Sequence, residues 1–387
     1  MLSLYDTARR RRVPFRPRGR TVTLYVCGVT PYDTTHLGHA RTFLVFDVLV
    51  RHLESGGLRV RYAQNVTDID ESILQRAAQR HLDWRELGRE EERKFLADMR
   101  ALGWRHPDVM PHATRELDAM GELAARLERR AHAYRIPDGG LYFDVTTFPR
   151  YGALSRLSPG KMRRILARQD DTRLDDPRKR SPLDFALWRR VNDGPTWPSE
   201  YGRGRPGWHL ECSAMSLRHL GQPVDIHGGG DDLIFPHHES EIAQSEGASG
   251  KPFVRYWVHV APVRLEGDKM SKSKGNMVFV RDALARVSPD GLRLYLLSKH
   301  YRRPLDYDEA TLIAHDELAT TLRELAVPVP RGALPREVSA ALDDDLDTPT
   351  VLRLLRRYAR AEDADRATLA ARHIGLRLRA ARRATAR

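Results

Sequence analysis

A strand, a helix and a second strand follow one another near the N-terminus, in the order that builds a parallel sheet. The first strand is predicted at Val22–Val26, which is apolar and rich in β-branched residues. It leads into Cys27–Asp33, whose Gly and Pro residues predict a turn. The apolar spacing of Thr42–Leu49 predicts a buried helix, and Arg59–Ala63 predicts the second strand. Together these segments predict an α/β fold with a parallel sheet.

The middle of the chain interrupts this pattern. Residues 71–135 are predicted to be helical, with charge pairs four residues apart such as Glu90 with Lys94. Residues 136–200 are irregular and rich in Pro, Asp and Arg, and they contain one strand-like run, Leu141–Val145. We interpret them as an insertion between two halves of the sheet.

The sheet is expected to resume after the insertion. Val224–His227 predicts a strand, and Gly228–Gly230 after it predicts a turn. Pro236 suits the first turn of a helix, and Phe253–Val260 predicts another strand. From about residue 310 the chain is rich in Ala, Leu, Arg and Glu with helical periodicity, which predicts a small helical bundle.

Composition limits the class of protein. A length of 387 residues suggests two or three domains, and 41% hydrophobic with 30% charged residues indicates a globular chain with an ample core. The sequence has no apolar run long enough to span a membrane and no apolar leader segment, so we expect a cytoplasmic protein. The net charge of +13 suits polyanionic partners, but arginine-rich usage can also reflect genome composition, so charge alone decides nothing.

The chain contains two cysteines, Cys27 and Cys212. A structural disulfide is rare in a cytosolic protein, and two buried free thiols would be the ordinary interpretation. Because the two thiols lie far apart in sequence, their spacing alone does not favour a shared metal ion.

The segment His36-Leu37-Gly38-His39 lies where a strand end meets a helix start. Such a position presents free backbone N–H groups and the positive end of the helix dipole, so it attracts phosphate. Gly38 lets a ligand approach the backbone, and the two imidazoles can donate hydrogen bonds to phosphoryl oxygens as charge develops. Taken alone, two histidines around a glycine are weak evidence, because most such matches are accidental.

A second segment is rich in lysine. Lys269-Met270-Ser271-Lys272-Ser273 is followed by Lys274 and Gly275. Lysines on a short loop can close on a triphosphate and stabilise the charge that builds on the leaving pyrophosphate. A solvated basic loop is the ordinary alternative, but the presence of both segments in this order favours a nucleotide site.

These two segments resemble the HIGH and KMSKS signatures of class I aminoacyl-tRNA synthetases. Further stretches resemble the cysteinyl-tRNA synthetases within that class: Met1–Thr7, Asn65–Asp70, Asp184–Trp188, Gly207–Met215, Asp225–Gly230 and Phe235–Glu246. The resemblance is specific over residues 1 to about 310 and looser beyond them.

The resemblance implies a division of the chain into regions. It implies a Rossmann-like catalytic domain over residues 1–265, with an inserted connective segment at about 110–200. A KMSKS loop and stem-contact region would follow at 266–310, and a truncated C-terminal helical bundle at 311–387.

The resemblance also implies one zinc ion per chain, held by Cys27, Cys212, His237 and Glu241. His237 and Glu241 are four residues apart and therefore share a helix face, and all four side chains are plausible zinc ligands. Zinc lowers the pKa of a thiol and binds the thiolate, so a zinc ion with room for one more ligand would select cysteine by its sulfur and reject serine. Such discrimination could replace an editing domain.

Roles for the remaining residues follow from the same resemblance. The catalytic residues are His36, His39, Lys269 and Lys272. ATP, with Mg²⁺ on its phosphates, is expected at His36, Gly38, His39, Gly228, Gly229, Gly230 and Lys272. L-Cysteine is expected at Cys27, Thr67, Trp208 and Asp232, although an ordinary core aromatic is the alternative for Trp208.

Two acceptors for the activated cysteine fit this scaffold. One is tRNA(Cys); the other is the amine of glucosaminyl-inositol, used in mycothiol biosynthesis. Glu241 and the Arg-rich segment 377–383 favour tRNA, whereas Thr30–Asp33, Asp345–Pro349 and the chain end at Arg387 favour the amino sugar. We predict an AMP-forming cysteine–tRNA ligase that acts as a monomer. The intact motifs argue against a third possibility, a non-catalytic RNA-binding paralogue.

Overall fold

The computed structural model describes residues 1–137, 139–168, 174–270, 275 and 277–378, with the backbone alone at 268 and 269. The strands are β1 (Ser3–Asp6), β2 (Arg11–Pro14), β3 (Thr21–Val29), β4 (Arg59–Val66), β5 (Ala133–Arg135), β6 (Gly140–Phe143), β7 (Phe185–Arg190), β8 (Gly204–Pro206), β9 (Val224–Gly230), β10 (Val254–Val260), β11 (Val263–Leu265), β12 (Asp268–Lys269) and β13 (Leu305–Asp306). The helices are α1 (Leu37–Ser55), α2 (Glu71–Gln79), α3 (Trp84–Ala101), α4 (Leu117–Arg129), α5 (Pro159–Leu166), α6 (Trp208–Leu220), α7 (Glu239–Ser249), α8 (Val280–Leu284), α9 (Pro289–Leu296), α10 (Glu309–Leu325), α11 (Arg336–Asp343), α12 (Thr348–Arg360) and α13 (Ala364–His373).

The central sheet has four parallel strands in the order β10-β9-β3-β4. Helix α1 connects β3 to the neighbouring β4, as a parallel pair requires. The predicted α/β fold, its parallel sheet and its four strands are therefore confirmed. In a sheet of this kind ligands bind beyond the carboxyl ends of the strands, where β3 and β9 lie side by side.

The turn predicted at Cys27–Asp33 begins too early. Strand β3 continues to Val29, so Cys27 and Gly28 are part of the sheet. A side chain at Gly28 would collide with the backbone of Asn65 in the adjacent strand. The glycine is explained by the close approach of β4, which the local sequence does not reveal.

The turn predicted at Gly228–Gly230 is also wrong, because β9 runs through all three glycines. A side chain at Gly228 would collide with the ring of Phe46 and the carbonyl of Val258. Packing of α1 and β10 around this strand therefore requires a residue without a side chain.

The insertion is more regular than the sequence predicted. Strands β5, β6, β7 and β8 form a four-stranded antiparallel sheet, in which Trp188 pairs with Leu141 and with Pro206. The predicted strand Leu141–Val145 is observed at Gly140–Phe143. The helices predicted over 71–135 are present as α2, α3 and α4, and the Lys94 amine lies 2.6 Å from Glu90.

Two hydrophobic cores cover the two faces of the central sheet. One contains Leu24, Val258 and Val260 and packs against α1 and the C-terminal helices. The other contains Tyr25 and Trp257 and packs against α4, α6, α7 and the insertion. Successive residues of β3 and of β10 therefore point alternately into one core and the other, because side chains alternate between the two faces of a strand.

The predicted C-terminal helical bundle is present as α10 to α13. A helical turn at Ile234–His238 precedes α7, close to the helix start expected at Pro236. Across the described part of the chain, every helix is too short or too polar to cross a membrane.

Candidate active site

Four side chains of the types that ligate metals meet at the carboxyl end of β3. Cys27 comes from β3, Cys212 from α6, His237 from the helical turn before α7, and Glu241 from α7 itself. One ligand atom of each lies within 4.8 Å of the others. The fold thus brings together two thiols that are distant in sequence, and it brings them to the residues that the resemblance implied.

This donor cluster is buried and incompletely hydrogen-bonded. Cys27 Sγ lies 3.4 Å from Glu241 Oε1. His237 Nε2 lies 3.1 Å from the same oxygen, yet neither this nitrogen nor Glu241 Oε2 has a hydrogen-bond partner among the described residues. Unsatisfied buried polar atoms are costly, so these atoms indicate a bound group.

The chemistry of the donor cluster fits a metal ion. Burial raises the pKa of Cys27, Cys212 and Glu241, and it lowers the pKa of His237. Burial therefore favours the neutral form of each group, whereas a cation between them would favour thiolate and carboxylate. Two sulfurs, one imidazole nitrogen and one carboxylate suit zinc better than magnesium or calcium.

A second possible ligand set overlaps the first. It shares Cys27 and Glu241 and adds His227 and His238, again with ligand atoms within 4.8 Å of one another. His238 Nε2 lies 3.3 Å from Cys27 Sγ. This second set has a single thiol, so the two-thiol set is the better match for zinc.

The sequence did not predict the histidines that connect the donor cluster to β10. The Nδ1 atom of His238 lies 2.7 Å from His259 Nε2, and His259 Nδ1 lies 2.7 Å from Thr7 Oγ1. Burial lowers the pKa of His259 to about 3, so its ring is neutral at physiological pH. Strand alternation places His259 on the face of β10 opposite to Val258 and Val260. It does not show which residues of other elements contact the His259 ring.

Trp208 and Thr67, expected in the cysteine pocket, both lie beside the donor cluster. The ring centroid of Trp208 is 4.3 Å from that of His237. Thr67 Oγ1 accepts a hydrogen bond from Asn65 at 3.0 Å, and Asn65 Oδ1 lies 3.6 Å from Cys212 Sγ.

The His36–His39 segment forms the start of α1. The Nδ1 atom of His36 accepts a hydrogen bond from the His39 backbone N–H at 3.3 Å, and the two rings stack with centroids 3.7 Å apart. A Cβ atom at Gly38 would lie 2.9 Å from His36 Nδ1, so glycine lets the ring fold over the helix end. The N-terminus of this 19-residue helix is suited to a phosphate group.

The chain after the lysine-rich segment is hydrogen-bonded to the same helix start. After that segment, the carbonyl of Val278 accepts a hydrogen bond from Leu37 N at 2.9 Å, and Val280 N donates to the carbonyl of Thr35 at 2.8 Å. The chain that follows the lysine-rich segment is therefore adjacent to the start of α1. Lys272 and the side chain of Lys269 lie outside the described residues.

Arg41 joins α1 to the chain that precedes the lysine-rich segment. Its buried guanidinium donates hydrogen bonds of 2.7 to 3.4 Å to the carbonyls of Ala261, Pro262, Lys299, His300 and Arg303. Burial lowers the pKa of Arg41 to about 10, although the charge of Asp231 opposes the shift. One side chain thus fixes the position of two segments relative to α1.

Asp232 lies just beyond the end of β9. A side chain at Gly230 would collide with the Asp232 carboxylate, which folds back over the strand end. Asp232 is exposed and lines a cavity that it shares with His259. The glycines of β9 and Asp232 therefore lie at the edge where ligands of parallel sheets bind.

Comparison with solved structures identifies the class of fold. The methionyl-tRNA synthetase of Mycobacterium tuberculosis, in complex with methionyl-adenylate, matches 93% of this chain and 82% of its own, with a TM-score of 0.60 and 18% identity. The Agrobacterium radiobacter K84 agnB2 LeuRS, in a ternary complex with tRNA and LeuAMS, matches 94% of this chain and 84% of its own, with a TM-score of 0.60 and 12% identity. The protein has the fold of class I aminoacyl-tRNA synthetases.

Sequence comparisons identify the family. The pattern of the family described as "tRNA synthetases class I (C) catalytic domain" matches residues 15–317. The cysteine–tRNA ligase of Methylococcus capsulatus is 44% identical over 96% of this chain and 83% of its own, and that of Legionella pneumophila is 42% identical over 93% and 80%. That of Aeropyrum pernix is 43% identical over 94% and 77%. The chain belongs to the cysteine–tRNA ligase family of class I synthetases.

Proposed function

We propose that this protein activates L-cysteine with ATP to form cysteinyl-adenylate and then transfers the cysteinyl group to tRNA(Cys). The observation that carries this proposal is the meeting of two thiols, His237 and Glu241 at the carboxyl end of β3, the end from which the chain leads into the N-terminus of α1. A soft donor cluster next to a phosphate-binding helix start is what an enzyme needs to bring a thiol-bearing amino acid to a nucleotide. Membership of the family supports the same reaction.

The first step joins cysteine to the nucleotide. A carboxylate oxygen of cysteine bonds to the α-phosphorus of Mg²⁺-bound ATP, the bond to the β-phosphate oxygen breaks, and pyrophosphate leaves. Cationic and hydrogen-bonding groups around the phosphates offset the growing negative charge; these are His36, His39, Lys269 and Lys272. The glycines Gly38, Gly228, Gly229 and Gly230 leave room for the nucleotide.

The cysteine itself is held by Thr67, Trp208 and Asp232 near Cys27. Cys27, Cys212, His237 and Glu241 would hold one zinc ion, which when bound supplies a soft Lewis acid that recognises a thiolate and not a hydroxyl. In the second step a ribose hydroxyl at the 3′ end of the tRNA bonds to the carbonyl carbon, its proton is released, and AMP leaves.

Arg41 provides a prediction about the first step. Arg41→Met removes all five hydrogen bonds to Ala261, Pro262, Lys299, His300 and Arg303. Because these segments flank the nucleotide site, the KM for ATP in pyrophosphate exchange should rise by about tenfold while the KM for cysteine is unchanged. Arg41→Lys should recover part of the loss. An equal change in both KM values would contradict a positioning role for Arg41.

The choice of acceptor is tested by offering both. Purified enzyme is incubated with ATP and labelled cysteine, together with either a tRNA(Cys) transcript or glucosaminyl-inositol. We expect label in the tRNA and none in the amino sugar. Label in the amino sugar would overturn the proposed acceptor, and the absence of label from both would overturn the transfer step. The relatives described above are all named for tRNA and give the amino-sugar alternative no support.

The assembly and compartment follow from the same proposal. All four residues of the donor cluster come from one chain, so a monomer can carry out the reaction. Charging of tRNA is expected to take place in the cytoplasm.

A further inference from the structure

Helix α3 lies against the turn that leads from β3 into α1. The last two residues of this turn, Thr34 and Thr35, are fully buried and come directly before His36, whose ring caps α1. The Thr35 carbonyl also accepts the hydrogen bond from Val280 N. The conformation of this turn therefore sets the position of the His36 ring and of the N-terminus of α1.

Glu91 of α3 holds Thr34 through three hydrogen-bond contacts. The Thr34 backbone N–H donates to Glu91 Oε2 at 2.8 Å. The Thr34 hydroxyl lies 2.7 Å from the Glu91 carbonyl oxygen and 3.2 Å from Oε2, and it can donate to either. Because backbone and side-chain atoms of both residues take part, the contact fixes the orientation of the turn as well as its distance from α3.

Glu91 is a buried carboxylate with cations beside it. Its side chain is 3% exposed, and its Oε1 lies 2.8 Å from Lys94 Nζ and 3.8 Å from the Arg80 guanidinium. Burial raises the pKa of Glu91, but the hydrogen bonds from Lys94 and Thr34 outweigh burial and hold this pKa below its ordinary value. An ionised oxygen accepts a shorter and stronger hydrogen bond from a backbone N–H than a neutral one does. Thr34 is therefore held more firmly than a neutral side chain would hold it.

The residue before Thr34 is held by the neighbouring helix. Asp33 has a φ of 48°, in the left-handed region that residues other than glycine rarely adopt. Its Oδ1 accepts hydrogen bonds from Arg76 and Arg80, each at 2.9 Å. Arg76 belongs to α2, and Arg80 directly follows it. Two consecutive residues of the turn are thus bound by the α2–α3 hairpin, residues 71–101.

Helix α3 also packs against the first turns of α1. The ring of Phe95, one turn after Glu91, meets the ring of Phe43 edge to face, with centroids 5.6 Å apart. Phe43 stacks with His39 at 6.2 Å, and His39 stacks with His36 at 3.7 Å. Residues four apart share a helix face, so one face of α3 contacts both the turn and the aromatic rings that continue to His36.

The same helix reaches the chain that follows the lysine-rich segment. Asp98, two turns after Glu91, lies 3.8 Å from Arg281 of α8. Helix α8 begins at Val280, the residue that donates to the Thr35 carbonyl. Helix α3 therefore contacts both chain segments that are hydrogen-bonded to each other at the start of α1.

We propose that Glu91 is a positioning residue for the first step, which acts through Thr34 to fix the His36 ring and the N-terminus of α1 at the phosphates of the nucleotide. The inference rests on the proposed function and adds a residue that does not itself touch the nucleotide. Displacement of a reacting or stabilising group by about 1 Å can slow a reaction by about 100-fold. The donor cluster comes from β3, α6 and the chain at 237–241, not from the α2–α3 hairpin, so the binding of cysteine should depend little on Glu91.

The first test removes the carboxylate. Glu91→Ala leaves the buried N–H of Thr34 without its partner. We expect kcat of cysteine-dependent pyrophosphate exchange to fall by about 10- to 100-fold, while the KM for cysteine stays within about twofold. Glu91→Gln keeps an oxygen that can accept from Thr34 N and should recover kcat to within about fivefold of the wild type. Thermal unfolding of each variant shows whether it is folded at the assay temperature.

Glu90→Ala is the matched control. Glu90 also pairs with Lys94, at 2.6 Å, but its side chain is 41% exposed, and Thr34 bonds to Glu91 instead. Its kcat should stay within about twofold of the wild type. A loss in Glu90→Ala equal to that in Glu91→Ala would assign the effect to Lys94 and overturn the inference. An unchanged kcat in Glu91→Ala, or a KM for cysteine that rises as much as kcat falls, would overturn it as well.

The second test approaches the same contact from the turn. Thr34→Val keeps the shape of the side chain but removes the hydroxyl donor, and it should lower kcat by about three- to tenfold. Combined with Glu91→Ala it should cause little further loss, because both changes break one contact. Losses that multiply would show that Glu91 acts elsewhere. If Glu91→Ala does not fold, Thr34→Val decides alone, and a kcat within about twofold of the wild type would then overturn the inference.

The wild type separates this inference from the proposed function. Absence of cysteine-dependent exchange in the wild type would overturn the proposed function. Exchange in the wild type that neither Glu91→Ala nor Thr34→Val slows would leave the proposed function intact and overturn only the positioning role of Glu91.

Discussion

Cys212→Ser is expected to abolish zinc retention and cysteine-dependent pyrophosphate exchange. Serine has nearly the same size, so α6 should keep its position, but a hydroxyl does not ionise at neutral pH and is a poor zinc ligand. Removal of one of four ligands in a buried site should lower zinc affinity by at least about 100-fold. Changing a residue that only hydrogen-bonds to a metal ligand already lowers affinity by about 10- to 100-fold. Zinc content after dialysis, measured by mass spectrometry, and the exchange assay give two separate readouts.

The two overlapping ligand sets make this experiment discriminating. Cys212 and His237 belong only to the first set, and His227 and His238 only to the second. His237→Gln should therefore release zinc as Cys212→Ser does, whereas His238→Gln should retain one zinc ion per chain. Loss of zinc from His238→Gln with retention in Cys212→Ser would assign the metal to the second set.

The sequence predicted the central sheet well because its strands are apolar and its helices amphipathic or buried. The predictions of secondary structure failed where the conformation of a segment depends on its packing against a distant segment. Gly228 belongs to a strand because Phe46 and Val258 occupy the space around it. A sequence pattern shows the glycine but not these neighbours, so the rule that glycines mark turns failed here.

The insertion was underestimated for a related reason. Strand β8 has three residues and β7 ends in two arginines, so neither has a strong apolar alternation. The pairing of β7 with β6 joins segments more than 40 residues apart in the chain. Pairing between distant short strands is a property of the folded state, and single-sequence periodicity cannot predict it.

In the candidate site, too, some residues could be predicted from the sequence, whereas the contacts between them could not. Family resemblance supplied Cys27, Cys212, His237 and Glu241, whereas spacing alone did not favour a shared metal ion. The contact of His259 with His238 was not predicted at all. Strand alternation fixes the face on which a side chain lies, but the partner across that face depends on how α7 and the sheet pack.

The largest effect on stability is expected from Arg293→Met. Arg293 is fully buried, forms an ion pair with Asp47 of α1, and donates to the carbonyls of Ile374 at 2.6 Å and Leu102 at 3.0 Å. It therefore connects α1, α9 and the end of the helical bundle. Removing Arg293 takes away the fully buried ionic partner of Asp47 and leaves only the half-buried Arg51 at 2.8 Å, so the free energy of unfolding should fall by about 3–5 kcal/mol.

The pH dependence of stability should change with it. Burial alone raises the pKa of Asp47, but Arg293 and Arg51 outweigh burial and hold this pKa below its usual value. A carboxylate with a lowered pKa stabilises the fold above its unfolded pKa of about 3.9, and that contribution is lost as the pH falls through the folded value. The wild type should therefore lose stability as the pH falls below about 4. Arg293→Met should lose less over the same pH range.

Urea unfolding tests this argument on five proteins: the wild type, Arg286→Met, Arg293→Met, Asp47→Asn and the double variant. Arg286→Met breaks an exposed ion pair with Glu309, 2.7 Å long, and is the matched control; it should cost no more than about 0.5 kcal/mol. The double variant Arg293→Met with Asp47→Asn should be more stable than Arg293→Met alone, because it also removes the buried carboxylate whose charge Arg51 alone would have to compensate. The contrary result is a double variant that is less stable than Arg293→Met by the cost of Asp47→Asn alone. Asp47 would then be held by Arg51 and the backbone, and its pair with Arg293 would not connect α1 to the helical bundle.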